Sequence, residues 1–101
     1  MKIGFRSKKE EEFYSNESQL KVVYGLRMAK KIMHRIQELQ AADNPQCLPR
    51  NARFHEHSAK NKGSFSIDLI HPFRLIVLPT CEYVSWVEII SLEIYEVIDP
   101  H

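Results

Sequence analysis

No apolar run in the sequence approaches the length of a membrane span. The opening "MKIGFRSKK" turns charged too early for a secretory signal. Cysteine is scarce: Cys47 and Cys81 stand far apart, with no C-x-x-C spacing. That argues against a disulfide framework or a cysteine zinc site, and both read as free thiols in a reducing cytoplasm. There is no internal repeat, no low-complexity segment and no linker. A chain of 101 residues then predicts one domain over 1–101. Its hydrophobic content of 44% fills one core, and 27% charged residues suit a soluble surface.

Net charge is also small, at +1, but its distribution is uneven. Residues 50–81 hold Arg50, Arg53, Lys60, Lys62 and Arg74 against Glu56 and Asp68. Residues 82–101 hold no lysine or arginine, and carry Glu82, Glu88, Glu93, Glu96 and Asp99. A basic middle can attract a polyanion although the total is near neutral. Ordinary solvated surface is the competing explanation.

The hydrophobic period changes along the chain. "MKIGF" alternates and reads as a strand. Ser7 is placed to cap a helix whose first turns are acidic, which suits the helix dipole. In 17–42, Leu20, Val23, Leu26, Ala29, Met33, Ile36 and Leu39 advance by three or four residues and form one core-facing stripe. Lys21, Arg27, Lys30, Lys31, Arg35 and Glu38 occupy the other face, and Gly25 weakens or bends the helix. "ADNPQCLPRN" ends it. The period then becomes two. "ARFHEH", "SFSIDLI", "RLIVL" and "WVEIISLEIYEVID" read as strands joined by "SAKNKG", "HPF" and "PTCEYVS". Phe65, Ile67 and Leu69 oppose Ser64, Ser66 and Asp68, and "RLIVL" is apolar enough to be central. In the last segment the phase runs Ile90, Leu92, Ile94 and slips toward Val97, which predicts a bulge or a strand end. The expectation is an α+β domain. Two N-terminal helices cover one face of an antiparallel sheet of four to five strands, and the opposite face is free for a site.

The polar residues of the meander carry chemistry. His55 and His57 share a strand face, Lys60 and Lys62 lie in the following turn, and Arg74 opens a later strand. Asp99 and His101 share a side if the chain stays extended. Arginine, lysine and histidine on one sheet face make a seat for a phosphodiester backbone. His-x-His is also metal-ligand spacing, with His71 or His101 as a third ligand, but no Cys/His cluster or HExxH helix accompanies it. A third possibility is that these histidines, like His34 and His71, are plain surface residues.

"ARFHEHSAKNKGSFSIDLIHPFRLIVLP" followed by "EIYEVIDPH" resembles the RelE/HigB-type toxins of bacterial toxin–antitoxin pairs, and "MKIGFRSKK" with "MAKKIMHRIQELQAAD" resembles their "killer" branch. The shared pieces are R-x-H, K-G-x-[FW]-[SA]-[IV], [HN]-x-[YFW]-R-[LI] and a terminal D-x-H. The resemblance spans nearly the whole chain. It implies a RelE-like, microbial-ribonuclease-like fold and a cytoplasmic ribonuclease. Such a toxin cuts mRNA on the ribosome without metal or other cofactor. It implies His55, Arg74, Asp99 and His101 as catalytic residues, with Arg53 and Lys62 binding substrate; His57 and Lys60, from the same strand face and turn, are expected to bind substrate beside them. His55 and His101 would share the proton work, since histidine titrates near neutrality. Arg74 and Lys62 would hold the phosphate, Asp99 would orient His101, and Arg53 would bind the backbone. The implied partners are a helix-turn-helix antitoxin and ribosome-bound mRNA, with operator DNA reached only through the antitoxin and no membrane.

Two departures stand out. The turn reads Ser58-Ala59-Lys60-Asn61-Lys62-Gly63 where the family tends to K-G-D-R-K-G. Pro100 stands where the family has a tyrosine, and a proline has no ring to stack on a base. The alternative expectation is a non-catalytic protein of the RelE/ParE fold, a gyrase inhibitor or an antitoxin-binding co-repressor.

Overall fold

The computed structural model describes residues 1–57 and 63–99. Lys60, Lys62, Pro100 and His101 therefore lie outside the described residues, and so do the expectations that rest on them.

The chain is α+β, with three α-helices and a five-stranded sheet among the described residues. Strand β1 is Lys2–Phe5 and is followed by helices α1 (Lys8–Tyr14), α2 (Glu17–Tyr24) and α3 (Leu26–Ala41). Strands β2 (His55–His57), β3 (Ser64–Asp68), β4 (Arg74–Pro79) and β5 (Ser91–Ile98) complete it, in the order β1-β5-β4-β3-β2. Short 3-10 turns occupy Pro45–Cys47, Arg50–Ala52 and Trp86–Glu88.

The sheet is mixed, which corrects the antiparallel expectation. β2 through β5 pair antiparallel, but β1 runs parallel to β5, with Ile3 opposite Leu92 and Phe5 opposite Ile94. β1 leads into helices, and a helical crossover lets a strand return parallel where a hairpin cannot. The expected slip in β5 is a bulge. Val77 pairs with Ile94 while Ile76 pairs with Glu96, so Tyr95 is the extra residue. The final strand begins at Ser91, after the turn at Trp86, and Ile90 is exposed.

Two helices were expected and three form. Ser7 caps α1 as predicted, accepting from the Glu10 N–H at 3.2 Å, and Asn16 caps α2, accepting from Gln19 at 3.1 Å. The long periodic segment is cut at Gly25, whose φ of 86° and ψ of 162° are not helical. The cut resets the helix axis, so the predicted stripe is not continuous. Leu20, Ala29, Ile36 and Leu39 are buried, but Val23 and Leu26 at the corner are exposed. Arg35, assigned to the solvated face, is buried at 3% exposure.

The core lies between the helices and one sheet face. Leu20, Met28, Ala29, Ile32, Ile36 and Leu39 meet Phe65, Ile67, Leu75, Val77, Leu92 and Ile94. At the far end Phe54 stacks on Phe65 at 4.6 Å between ring centroids, and Trp86 packs edge-on against both. Cys47 and Cys81 are free thiols. No helix among the described residues is long and apolar enough to cross a membrane.

Two outcomes follow from this architecture. A Cβ at Gly25 would touch nothing within 4 Å, so Gly25→Ala is opposed by backbone strain alone. It should lower stability by about 2 kcal/mol in denaturant titration. Burial, first, and the nearby Tyr24 and Glu10 charges push the Tyr14 phenol well above its ordinary value of 10.0. An unfolded Tyr14 loses its proton before a folded one, so this contribution is whole below pH ~10 and declines as pH rises above it. Thermal melts across that range should show Tyr14→Phe losing less stability with pH than the parent.

Candidate functional site

β2 enters the sheet through a tight turn. After the 3-10 turn at Arg50–Ala52, Arg53 adopts the left-handed region, at φ 50° and ψ 56°. For a residue with a Cβ this costs ~1 kcal/mol. Phe54 then inserts against Phe65 and Trp86, anchoring the strand. Pairing sets His55 opposite Ser66 and His57 opposite Ser64. Further along, Asp68 is opposite Arg74, and Arg74 is opposite Ile98. These residues share the sheet face that points away from Phe65 and Ile67.

That face is less bare than the sequence implies. Ser64, Ser66 and Ile76 are buried on it, although Ile76 takes no part in the main core. The His55 ring is the reason at Ser66. Its Nδ1 lies 2.5 Å from the Arg53 carbonyl oxygen, and its Nε2 lies 2.8 Å from Ser66 Oγ. A carbonyl only accepts, so Nδ1 carries a proton. In the neutral ring Nε2 then accepts from the Ser66 hydroxyl; in the imidazolium it donates to it. Both ring nitrogens are occupied in either state. Ser66 is fully buried, so its hydroxyl fixes the ring and is not exposed as a nucleophile.

Arg53 makes one ion pair among the described residues, from Nη1 to Asp68 Oδ2 at 3.2 Å, with its own side chain largely exposed. Such a pair holds weakly and opens readily to a competing anion. The Arg74 side chain has no hydrogen-bond or ion-pair partner among the described residues. Toward β5 the charge reverses: Glu96 is opposite Ile76, and Glu93 is opposite Leu78. An anion on this face is therefore drawn to the end holding Arg74, Arg53 and His55. From strand spacing the backbones of His55 and Arg74 stand about 12 Å apart, a gap two inward-reaching side chains and a phosphate can fill.

Of the predicted site residues, the fold brings Arg53, His55, His57 and Arg74 to this region. Asp99 is exposed just beyond β5. It falls in the phase of Val97, which packs on the core, and Ile98 is the residue opposite Arg74. Lys60, Lys62 and His101 lie outside the described residues. Among the described residues no three histidine, cysteine, aspartate or glutamate side chains gather as a metal cluster would require.

Sequence reading missed Arg35 and Asp68. The Arg35 guanidinium donates from Nε to the Asp68 carbonyl at 2.9 Å, from Nη1 to Glu38 Oε1 at 2.8 Å, and from Nη2 to the Asn51 carbonyl at 3.1 Å. One buried cation thus ties α3 to the end of β3 and to the turn before β2. The Asp68 backbone serves Arg35 while its carboxylate serves Arg53. The available signal was a helix arginine three residues from a glutamate, which reads equally well as surface.

Comparison with family models, with curated proteins and with solved structures finds no match to this chain.

Removing the buried guanidinium takes the donor from the Asp68 and Asn51 carbonyls and leaves Glu38 without its cation. Arg35→Met should therefore cost about 3 kcal/mol in denaturant titration, well above the effect of Arg27→Met on the exposed face.

Proposed function

We propose that this chain is a metal-independent endoribonuclease, the toxin of a toxin–antitoxin pair that cuts mRNA on the ribosome. The observation that carries the reading is the cationic end of the open sheet face. Arg74, unpaired among the described residues, lies one strand from Asp68 of the Arg53–Asp68 pair, and two strands and a two-residue step from His55. β5 ends at this same end, because Ile98 is opposite Arg74.

Cleavage of RNA by its own 2′-hydroxyl has three requirements. A base removes the 2′-proton, cations stabilise the crowded phosphorus, and an acid protonates the departing 5′-oxygen. The products are a 2′,3′-cyclic phosphate and a free 5′-hydroxyl, with no net consumption of water at this step. In this reading Arg74 and Lys62 hold the phosphate, and Arg53 leaves Asp68 to bind the neighbouring backbone. His57, beside His55, and Lys60 add substrate contacts. His101, oriented by Asp99, takes the 2′-proton. His55 is held as a donor by Arg53 and Ser66, and as an imidazolium it supplies the leaving-group proton when Nε2 exchanges Ser66 for the substrate. The acidic rim at Glu93 and Glu96 confines the backbone to the β2–β4 side. The reading carries with it a cytoplasmic location and a helix-turn-helix antitoxin as partner.

Inducible expression with 5′-end mapping of ribosome-bound mRNA tests it. Cuts inside translated codons are expected, and His101→Gln and Arg74→Ala should each reduce them at least ~100-fold while leaving the melting temperature unchanged. Full cutting by both variants, or DNA damage without mRNA cuts, would replace the nuclease with a gyrase-directed or purely binding protein.

A further inference from the structure

On the helical side of the molecule an open groove of about 630 Å³ is lined by Arg27, Lys30, Lys31 and His34 of α3, by Glu17 of α2, and by Met33 and Ile70. The four α3 residues recur at intervals of three and four, so they form one stripe. Arg27, Lys30 and Lys31 enter no ion pair among the described residues, whereas His34 lies 3.2 Å from Glu38. Three permanent cations therefore face one carboxylate, Glu17. The first turn of α3 holds no acidic residue and its N-cap has no side-chain hydrogen bond, so the positive end of the helix dipole is not offset there.

The groove's position relates it to the sheet site. Ile70, on its floor, belongs to the turn that joins Asp68 to Arg74. That turn is tight: the Leu69 N–H donates to the Phe73 carbonyl at 3.0 Å, and the Phe73 N–H donates to the Ile70 carbonyl at 2.8 Å. Arg74 emerges on one side of the turn and the groove opens on the other. Cations thus border the same short turn from two sides, and no acidic residue lies between Asp68 and Arg74 in the chain.

We infer that this α3 groove is a second binding site, taking the phosphodiester backbone of single-stranded RNA beyond the segment held at the sheet. The inference rests on the RNA reading of the sheet face. An acidic protein segment would satisfy the same charges. RNA is favoured because the groove borders the turn that carries Arg74, so one strand meets both sites. Methionine and isoleucine on the floor accept the faces of unstacked bases without selecting among them.

The experiment uses the full chain and a 2′-O-methylated single-stranded RNA, which binds but cannot be cut, read by fluorescence anisotropy from 50 to 200 mM KCl. The variant is R27E/K30E/K31E. Its changes are on an exposed or half-exposed helix face, and Arg27→Glu places an acid where the dipole favours one, so the melting temperature should hold. Expected are binding at least ~10-fold weaker at low salt and a log–log salt slope flatter by about 2, as loss of three phosphate contacts requires. Arg74→Ala should keep most of the groove-dependent slope. Parent-like affinity and slope in the triple variant overturn the inference, whether or not mRNA is cut. Displacement of RNA by polyglutamate at equal or lower charge concentration also overturns it, in favour of an acidic protein partner. Groove-dependent RNA binding without any mRNA cleavage upholds the groove and removes the nuclease reading alone.

Discussion

One buried cation organises this protein. Arg35 sits within the layer between α3 and the sheet, and its guanidinium is spent on Asp68, Glu38 and Asn51. A charge with so little solvent is tolerable only when each of its donors finds an oxygen. Satisfying that requirement fixes three segments at once: the helix, the end of β3 and the turn before β2. The consequences run outward. Asp68, held by its backbone, presents its carboxylate to Arg53. Arg53, held in a left-handed conformation, presents its carbonyl to His55. His55 closes on Ser66. The candidate site is the surface end of a polar chain that begins in the interior.

The electrostatic layout follows from the strand order. Because β5 lies beside β4, Glu93 and Glu96 border the face that carries Arg74. The sequence shows a basic middle and an acidic end as separate blocks. Folding sets Arg74 and the Arg53–Asp68 pair beside Glu93 and Glu96 on one face, turning a weak net charge into a steep local gradient. Such a gradient orients a polyanion more effectively than a uniformly basic surface of the same total charge, because it repels the wrong placement as well as attracting the right one.

Much of the fold was legible in the residues. Alternation at 64–70, the apolar run at 74–78 and the cap at Ser7 each reflect local rules; strands form at Ser64–Asp68 and Arg74–Pro79, and Ser7 caps α1. The phase slip in the last strand was readable for the same reason. The features missed are tertiary. Parallel pairing of β1 depends on where the helices return the chain, which no local pattern records. Gly25 was visible as a weak point, but a bend and a complete break differ only in the backbone angles that packing selects. Arg35 looked like its neighbours Lys31 and Glu38 because burial of a cation is decided by oxygens distant in sequence. At the site, residue types and strand faces could be read, but the lock on His55 could not, since its partners are a carbonyl and a serine with no signature of their own.

The extra residue at Tyr95 acts as a parity switch on the end of β5. Upstream of it, even-numbered residues such as Leu92 and Ile94 look into the core; downstream, Val97 does. Which side chains of β5 after the bulge share a face with Arg74 is thus decided by a single inserted residue rather than by their own chemistry. A deletion in β5 would exchange their faces without changing composition, charge or hydrophobicity. The last residues of β5 are written in a reading frame, and the bulge sets it.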